Sequence, residues 1–137
     1  MYPEHLTQPM EKDLTDFGFT GLKTPEMVSN VLDQKQGTVL VVVNSVCGCA
    51  AGNCRPGVKI ASNHSKVPDQ MVTVFAGVDK DAVNTARNYM LPYPPSSPSI
   101  ALFKDGNLVH FLERHHIEGN TADAIAANLK MAFDQFC

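Results

Sequence analysis

Residues 38–49 read TVLVVVNSVCGC, and this stretch decides the fold that the sequence predicts. Its first part, ending at Val43, is continuously apolar and rich in β-branched residues, which is typical of a strand buried on both faces of a sheet. The strand runs directly into Cys47-Gly48-Cys49. Residues 50–63 then predict a helix, in which Pro56 marks a kink or a late start. Two thiols are therefore expected between the end of a central strand and the beginning of a helix.

Strands and helices alternate on both sides of this segment. Apolar β-branched runs predict further strands at residues 71–76, 99–103 and 108–112. Helical spacing of apolar residues predicts helices at 4–17, 25–36, 80–91 and from 120 onward. Asp105-Gly106, between the last two strands, is a strong signal for a hairpin. Capping signals support three helix starts: Thr24 before Pro25, Asp79, and Asn120 followed by Asp123.

The predicted order of elements is α-α-β-α-β-α-β-β-α. Strands separated by helices favour parallel pairing, whereas the closing hairpin must be antiparallel. After the first helix this is the order of a thioredoxin-like fold. We therefore expect a single α/β domain over residues 1–137, with a central mixed β-sheet flanked by helices on both faces and an N-terminal helical extension.

Composition and charge narrow the class of protein. Eleven Lys and Arg residues against 14 Asp and Glu residues give a net charge of −3, and no basic cluster is present, which argues against nucleic acid as a partner. The longest apolar run, Val39 to Val43, is too short to span a bilayer. Residues 1–5 do not resemble a secretory signal, so the sequence predicts a cytoplasmic protein.

Three of the four cysteines fall within eight residues: Cys47, Cys49 and Cys54, while Cys137 is the last residue. In a secreted domain held together by disulfides, the cysteines would be spread along the chain, and the chain would carry an export signal. In a reducing compartment, clustering indicates redox chemistry or a metal site. We interpret Cys137 as a bystander, because chain ends are usually loose.

The position of Cys47-Gly48-Cys49 before a helix favours redox chemistry. A helix N-terminus carries unpaired N–H groups and a partial positive charge, which stabilise the nucleophilic thiolate. Gly48 lets the backbone turn and leaves sulfur accessible. The spacing permits a disulfide between the two cysteines, and it equally permits one thiol to attack a mixed disulfide while the other resolves it.

A second informative segment is Ser97-Pro98-Ser99, which leads into the predicted strand at 99–103. With it, the chain closely resembles the bacilliredoxins, a thioredoxin-like family with a C-G-C active site. The resemblance covers nearly the whole chain and includes residues 44–52, Arg55-Pro56, 95–99 and 114–119. In such proteins a cis-proline stands opposite the active cysteine and shapes the substrate groove, and Pro98 matches that place.

The resemblance implies a thiol–disulfide oxidoreductase that removes bacillithiol from S-bacillithiolated client proteins. Cys47 would attack the mixed disulfide, and Cys49 or an external low-molecular-weight thiol would resolve the resulting bacillithiol adduct. Gly48, Ser97 and Pro98 are the expected substrate-binding residues, and Arg55 is a further candidate. No bound cofactor or metal is expected, because bacillithiol enters as substrate. The amino-acid sequence does not indicate the oligomeric state.

Several alternatives follow from the same residues. The pair of thiols could serve in a general protein disulfide reductase or isomerase. Alternatively, Cys47, Cys49 and Cys54 could bind a metal, although their spacing is unusual for zinc and a fourth ligand is not evident. Cys54 departs from the family pattern and is a second resolving thiol, a metal ligand or an incidental helix residue. Arg55 either docks a carboxylated thiol such as bacillithiol or, as we favour, is solvated.

His115 and His116 invite a metal or acid–base interpretation, because a histidine near the site could assist protonation. They follow the end of a predicted strand and precede Glu118-Gly119. We therefore expect them to be surface loop residues.

Overall fold

The computed structural model describes residues 2–137, and all of its strands join one five-stranded sheet. The strands are β1 (Thr20–Gly21), β2 (Thr38–Asn44), β3 (Gln70–Phe75), β4 (Ser99–Lys104) and β5 (Asn107–Leu112). Their spatial order is β1-β3-β2-β4-β5. The first three run parallel, and β4 and β5 are antiparallel to their neighbours. The mixed sheet predicted from the sequence is confirmed.

Helices cover both faces of this sheet. They are α1 (Glu4–Thr15), α2 (Pro25–Leu32), α3 (Arg55–Ala61), α4 (Lys80–Tyr89), α5 (Arg114–Ile117) and α6 (Ala122–Phe136), with a π-helical turn at Ala50–Cys54 before α3. On one face α1, α3, α5 and α6 pack over Leu40 and Val42. On the other, α2 and α4 pack over the alternate side chains of β2. The central strand is buried on both faces, as its sequence predicts.

Several local signals act as expected. The Thr24 hydroxyl accepts a hydrogen bond from the Met27 N–H and caps α2. Asp105 and Gly106 both have positive φ angles, which a two-residue hairpin turn between β4 and β5 requires. Pro56 stands at the start of α3, so it marks a late start of the regular helix.

Other local predictions are wrong. Thr121, not Asn120, caps α6, and its hydroxyl accepts from the Ala124 N–H. Asn120 instead donates its side-chain amide to the His116 carbonyl. Asp79 precedes α4 without capping it, because its carboxylate pairs with Lys23.

Two short elements, β1 and α5, were not predicted. The two-residue β1 carries too little pattern to be recognised, and it exists because Thr20 and Gly21 pair with β3. The α5 residues were expected to form a loop. Instead the Glu113 carboxylate accepts from the His116 backbone while His116 Nδ1 accepts from the Glu113 N–H, which closes a short helix.

Candidate active site

The two adjacent cysteines lie just beyond the carboxyl end of β2. Both thiols are free and partly exposed. The chain turns sharply after Cys47, because the N–H groups of Ala50 and Ala51 both donate to the Cys47 carbonyl, at 3.1 and 3.2 Å. A Cβ atom added at Gly48 would meet nothing within 4 Å, so the loop between the thiols is open to approach.

A buried polar cluster fixes the chain that leads to Cys47. Asn44 is fully buried, and its side-chain oxygen accepts from the Ser45 N–H at 2.9 Å and from Arg55 Nη1 at 3.1 Å. Its amide donates to the Met10 carbonyl in α1. Arg55 Nη1 also donates to the Ser45 carbonyl at 3.1 Å. The polar groups at the end of β2 are therefore satisfied by fixed partners, which orients the segment carrying the thiols.

Ser45 contacts Cys47 twice. Its hydroxyl oxygen accepts from the Cys47 N–H at 3.1 Å and donates its proton to Cys47 Sγ, also at 3.1 Å. A hydroxyl that donates to sulfur stabilises the thiolate more than the thiol. The role of Ser45 could not be predicted from the sequence, because a small residue before a cysteine gives no sign of where its hydroxyl is directed.

The pKa of the Cys47 thiol lies below its ordinary value. Burial by itself raises the pKa, but four interactions outweigh it: hydrogen bonds from the Cys49 thiol and the Ser45 hydroxyl, the Ala50 N–H, and the positive charge of Arg114. Three of these four groups are within five residues of Cys47 in the chain. The close turn itself therefore supplies most of the stabilisation of the thiolate.

Cys49 has the opposite tendency. Burial raises its pKa, and the hydrogen bond and charge of Cys47 raise it further, against a lowering by Arg114. The thiol of Cys49 retains its proton while it supports a thiolate at Cys47. The arrangement thus distinguishes a nucleophilic sulfur from a protonated neighbour that can react next.

The loop before β4 lies beside this turn. Ser99 pairs with Val43 in the sheet, which places Ser97-Pro98 next to the chain that leaves β2 toward Cys47. The Ser97–Pro98 peptide bond is cis, as the resemblance predicted, and a second cis bond at Leu91–Pro92 was not expected.

Arg114 joins the loop to the thiols and was missed as a site residue. Its Nη1 donates to the Ser97 carbonyl at 3.3 Å, and its Nε and Nη2 donate to Glu118 at 3.1 and 2.9 Å. Its charge acts on both Cys47 and Cys49. An Arg–Glu pair four residues apart indicates a helical ion pair in sequence, but nothing local shows that the helix faces the thiols.

Two sequence interpretations are corrected by burial. Arg55 is only 4% exposed and its guanidinium is occupied by Asn44, Ser45 and Asp13, so it is neither solvated nor available to dock a substrate. Cys54 is completely buried, and burial raises its pKa to about 12. Of the three roles considered for Cys54, only that of a core helix residue fits this position.

The position of Cys54 also argues against a metal site formed by the three clustered cysteines. Within residues 2–137, Cys47, Cys49 and Cys54 do not converge as a group of three ligands within 4.8 Å. The group that does converge is Glu113, His115 and His116. There the Glu113 carboxylate and His116 Nδ1 are already used to close α5, so these donors serve the helix.

No helix within residues 2–137 has the length and apolar character needed to cross a membrane.

Solved structures with a similar backbone include thioredoxins. A thioredoxin from Schistosoma mansoni has a TM-score of 0.60 and 22% identity, covering 88% of this chain and 97% of its own. Mitochondrial thioredoxin 3 from Saccharomyces cerevisiae gives a TM-score of 0.57 at 14% identity, covering 90% and 98%. These likenesses establish the thioredoxin fold. With two free thiols at the edge described above, the fold and site define a thiol–disulfide oxidoreductase.

Closer relatives share most of the sequence. A family model described as disulphide isomerase matches residues 2–137. The bacilliredoxin of Cytophaga hutchinsonii is 63% identical over 135 residues, which is 98% of this chain and 99% of that protein. The bacilliredoxin Acid345_1880 of Koribacter versatilis is 49% identical over 137 residues, covering 100% and 94%. The chain belongs to the bacilliredoxin family.

Proposed function

We propose that this protein removes bacillithiol from S-bacillithiolated proteins, with Cys47 as the attacking thiol and Cys49 as the resolving thiol. The observation that carries the proposal is the hydrogen bond from the Ser45 hydroxyl to Cys47 Sγ, which favours a thiolate at one sulfur of the pair. Relatives named bacilliredoxin, which match nearly the full chain, support bacillithiol as the substrate.

The first step is attack by the Cys47 thiolate on the bacillithiol sulfur of the mixed disulfide. A disulfide forms between Cys47 and bacillithiol, and the client protein leaves as its thiolate and takes up a proton from solvent. The lowered pKa of Cys47 increases the fraction of thiolate available near neutral pH. The open loop at Gly48 allows a large client to approach.

The second step is attack by Cys49 on the Cys47 sulfur. Cys49 first gives up its proton, which its raised pKa opposes while Cys47 is a thiolate. Once Cys47 is in a disulfide that negative charge is gone, so the opposition falls and Cys49 ionises more readily. Bacillithiol leaves as a thiolate, and a Cys47–Cys49 disulfide remains. External thiols of a reducing cytoplasm then return the pair to the dithiol.

The neighbouring loop has a binding role in this proposal. Ser97 and Pro98 form a wall of the substrate groove beside Cys47, and Arg114 holds the Ser97 carbonyl. The Arg114 guanidinium also lies within electrostatic range of both sulfurs. It therefore favours the thiolates that each exchange step forms.

The test is the intact mass of wild type, Cys47→Ala and Cys49→Ala after mixing with a bacillithiolated protein. The expected result is a stable bacillithiol adduct on Cys49→Ala, none on Cys47→Ala, and an internal disulfide in wild type. An adduct that forms on Cys47→Ala would reverse the assigned roles. Failure of every variant to take bacillithiol would overturn the substrate.

General disulfide exchange is the second candidate, favoured by the description of the matching family model as disulphide isomerase. The same Cys47 thiolate can attack a protein disulfide. Reactivation of a scrambled disulfide protein distinguishes the two: isomerase activity that exceeds debacillithiolation at matched concentrations favours the second candidate.

A further inference from the structure

A cavity of about 290 Å³ lies between α4 and the chain that follows β3. Residues 76–78 form one side of it, and Lys80, Asn84 and Arg87 from α4 supply its polar groups. Two cations and an amide, with no carboxylate in the lining, make this cavity suited to an anion. None of the steps proposed above uses it.

Arg87 is the unusual member of this cavity. Its Nε is buried and has no hydrogen-bond partner within residues 2–137, and Arg87 forms no ion pair with any of them. Its contact through Nη2, to the Ser96 carbonyl, is long at 3.5 Å. Burial lowers the pKa of Arg87, and no neighbouring carboxylate counteracts this. A partly desolvated guanidinium without a counterion gains from binding a carboxylate, because the two carboxylate oxygens can each accept a hydrogen bond from one of its N–H groups.

The nearby acidic residues do not neutralise Arg87. The Asp79 carboxylate, which lies directly before α4, pairs with Lys23. Asp81 is exposed in the first turn of α4 and does not line the cavity. The positive charge of Arg87 and Lys80 therefore remains available to a ligand.

Arg87 links this cavity to the loop that carries the cis-proline. Arg87 contacts Ser96, the residue before Ser97-Pro98, and the Ser96 hydroxyl accepts from the Arg114 N–H. On the other side, the Ala76 N–H donates to the Asn44 carbonyl at 3.0 Å, at the end of the strand that leads to Cys47. The loop with the cis-proline therefore lies beside the chain that leads to the thiols, and it contacts Arg87 of the cavity through Ser96.

We propose that Arg87, with Lys80 at the rim, binds a carboxylate of the low-molecular-weight thiol while its sulfur is attacked by Cys47. This inference rests on the proposed function, since bacillithiol is a carboxylated thiol. The role that the sequence suggested for Arg55 is therefore assigned to Arg87. Recognition of the carboxylate lets the enzyme select which half of a mixed disulfide faces Cys47.

The experiment compares two mixed disulfides of one peptide, one with bacillithiol and one with the uncharged 2-mercaptoethanol. For Arg87→Gln, kcat/KM on the bacillithiol substrate should fall by at least about tenfold through KM, which is the scale of one lost charge-assisted bond. The rate on the 2-mercaptoethanol substrate should stay within about twofold of wild type. Arg87→Lys should recover part of the loss.

Lys35→Gln is the matched control, because it removes one positive charge from an exposed position before β2, at the opposite end of that strand from Cys47. It should change neither rate. An equal loss on both substrates in Arg87→Gln would overturn the proposal, because it would show that Arg87 only supports the loop through Ser96. Unchanged rates on both would overturn it as well.

Two further outcomes separate this proposal from the one on which it rests. Wild type that reduces the 2-mercaptoethanol substrate but not the bacillithiol substrate would overturn the proposed function itself. A third substrate carries acidic residues beside the cysteine and 2-mercaptoethanol as the thiol. A loss confined to that substrate in Arg87→Gln would assign the cavity to a client carboxylate and overturn the assignment to the small thiol.

Discussion

Cys47 and Cys54 belong to one short segment but occupy opposite environments. Cys47 is partly exposed, accepts a hydrogen bond from Ser45 and has a lowered pKa. Cys54 is 0% exposed, lies in the core between α3 and α6 and has a pKa raised to about 12. Both thiols belong to the group of three cysteines within eight residues that indicates redox chemistry, so proximity in sequence does not determine the reactivity of a thiol. The groups that surround each sulfur determine its reactivity.

The backbone between the two cysteines explains the difference. The chain turns at Cys47 and passes through the π-helical turn, and Cys54 ends that turn facing the sheet. Gly57, in the next turn, lies so close to α6 that an added Cβ would stand 2.8 Å from Ile125. This tight contact of α3 with α6 excludes water from Cys54.

The largest expected effect is a difference in alkylation rate between these two thiols. A pKa of about 12 leaves roughly one Cys54 thiol in 100,000 ionised at pH 7, before any steric protection. We expect iodoacetamide to modify Cys47 more than about a thousandfold faster than Cys54 in native protein. Peptide mapping after timed labelling measures both rates. The difference should disappear in urea, and its persistence there would show that folding is not its cause.

The second prediction concerns the buried support beneath Cys47. Arg55→Met should reduce the free energy of unfolding by about 2 kcal/mol or more, because it leaves the buried Ser45 carbonyl without its partner and removes one of the two hydrogen bonds to the Asn44 side-chain oxygen. Chemical denaturation measures this loss.

The matched control for that prediction is the exposed arginine of the site. Arg114→Met should cost clearly less stability than Arg55→Met, because its pair with Glu118 is exposed. It should nevertheless raise the pKa of Cys47 by removing a favourable charge. Equal stability losses in the two variants would contradict the contrast between buried support and exposed charge.

The same contrast separates what the sequence could predict from what it could not. The strand before Cys47, the hairpin at Asp105-Gly106 and the Thr24 cap depend on neighbouring residues, and the local pattern predicts them. Cys47 and Cys49 were recognised because their position after that strand is also local.

Residues whose role depends on distant partners were misjudged or missed. Arg55 was expected in solvent, but its environment is made by Asp13 and Asn44, which are 42 and 11 residues away in the chain. Arg114 acts on thiols more than sixty residues earlier. Arg87 has no local motif at all, and only the fold shows that its Nε is buried without a partner. The spacing of residues in the sequence does not show which distant residues the fold brings into contact.

A smaller effect is expected for Ser45→Ala, which removes a stabilising hydrogen bond but keeps Cys47 in place. The pKa of Cys47 should rise toward its ordinary value, so the alkylation rate at pH 7 should fall by about threefold to tenfold. The pH profile of alkylation should shift to higher pH, with the same plateau rate or a slightly faster one. A profile that shifts to lower pH would show that the Ser45 hydroxyl does not stabilise the thiolate.

The smallest effect on exchange is expected for Cys54→Ala, which should leave the rate at pH 7 within about twofold of wild type. The variant should lose only about 1 kcal/mol of stability, because a small apolar group leaves the core. Retention of activity excludes Cys54 as an obligatory resolving thiol, whereas accumulation of a Cys47 adduct in this variant would restore that role.

High pH gives the same variant a second, independent test of burial. The folded pKa of Cys54 lies above its ordinary value of 9.0, so above pH 9 the unfolded thiol ionises while the folded one stays protonated. The unfolded state then binds fewer protons, and wild-type stability should fall by up to about 1.4 kcal/mol per pH unit from this group, from pH 9 toward 12. Cys54→Ala lacks this loss, so its stability deficit against wild type should shrink and then reverse as pH rises. A constant deficit in denaturation curves from pH 8 to 11 would show that the Cys54 thiol is accessible to water, and the contrast with Cys47 would then rest on hydrogen bonding alone.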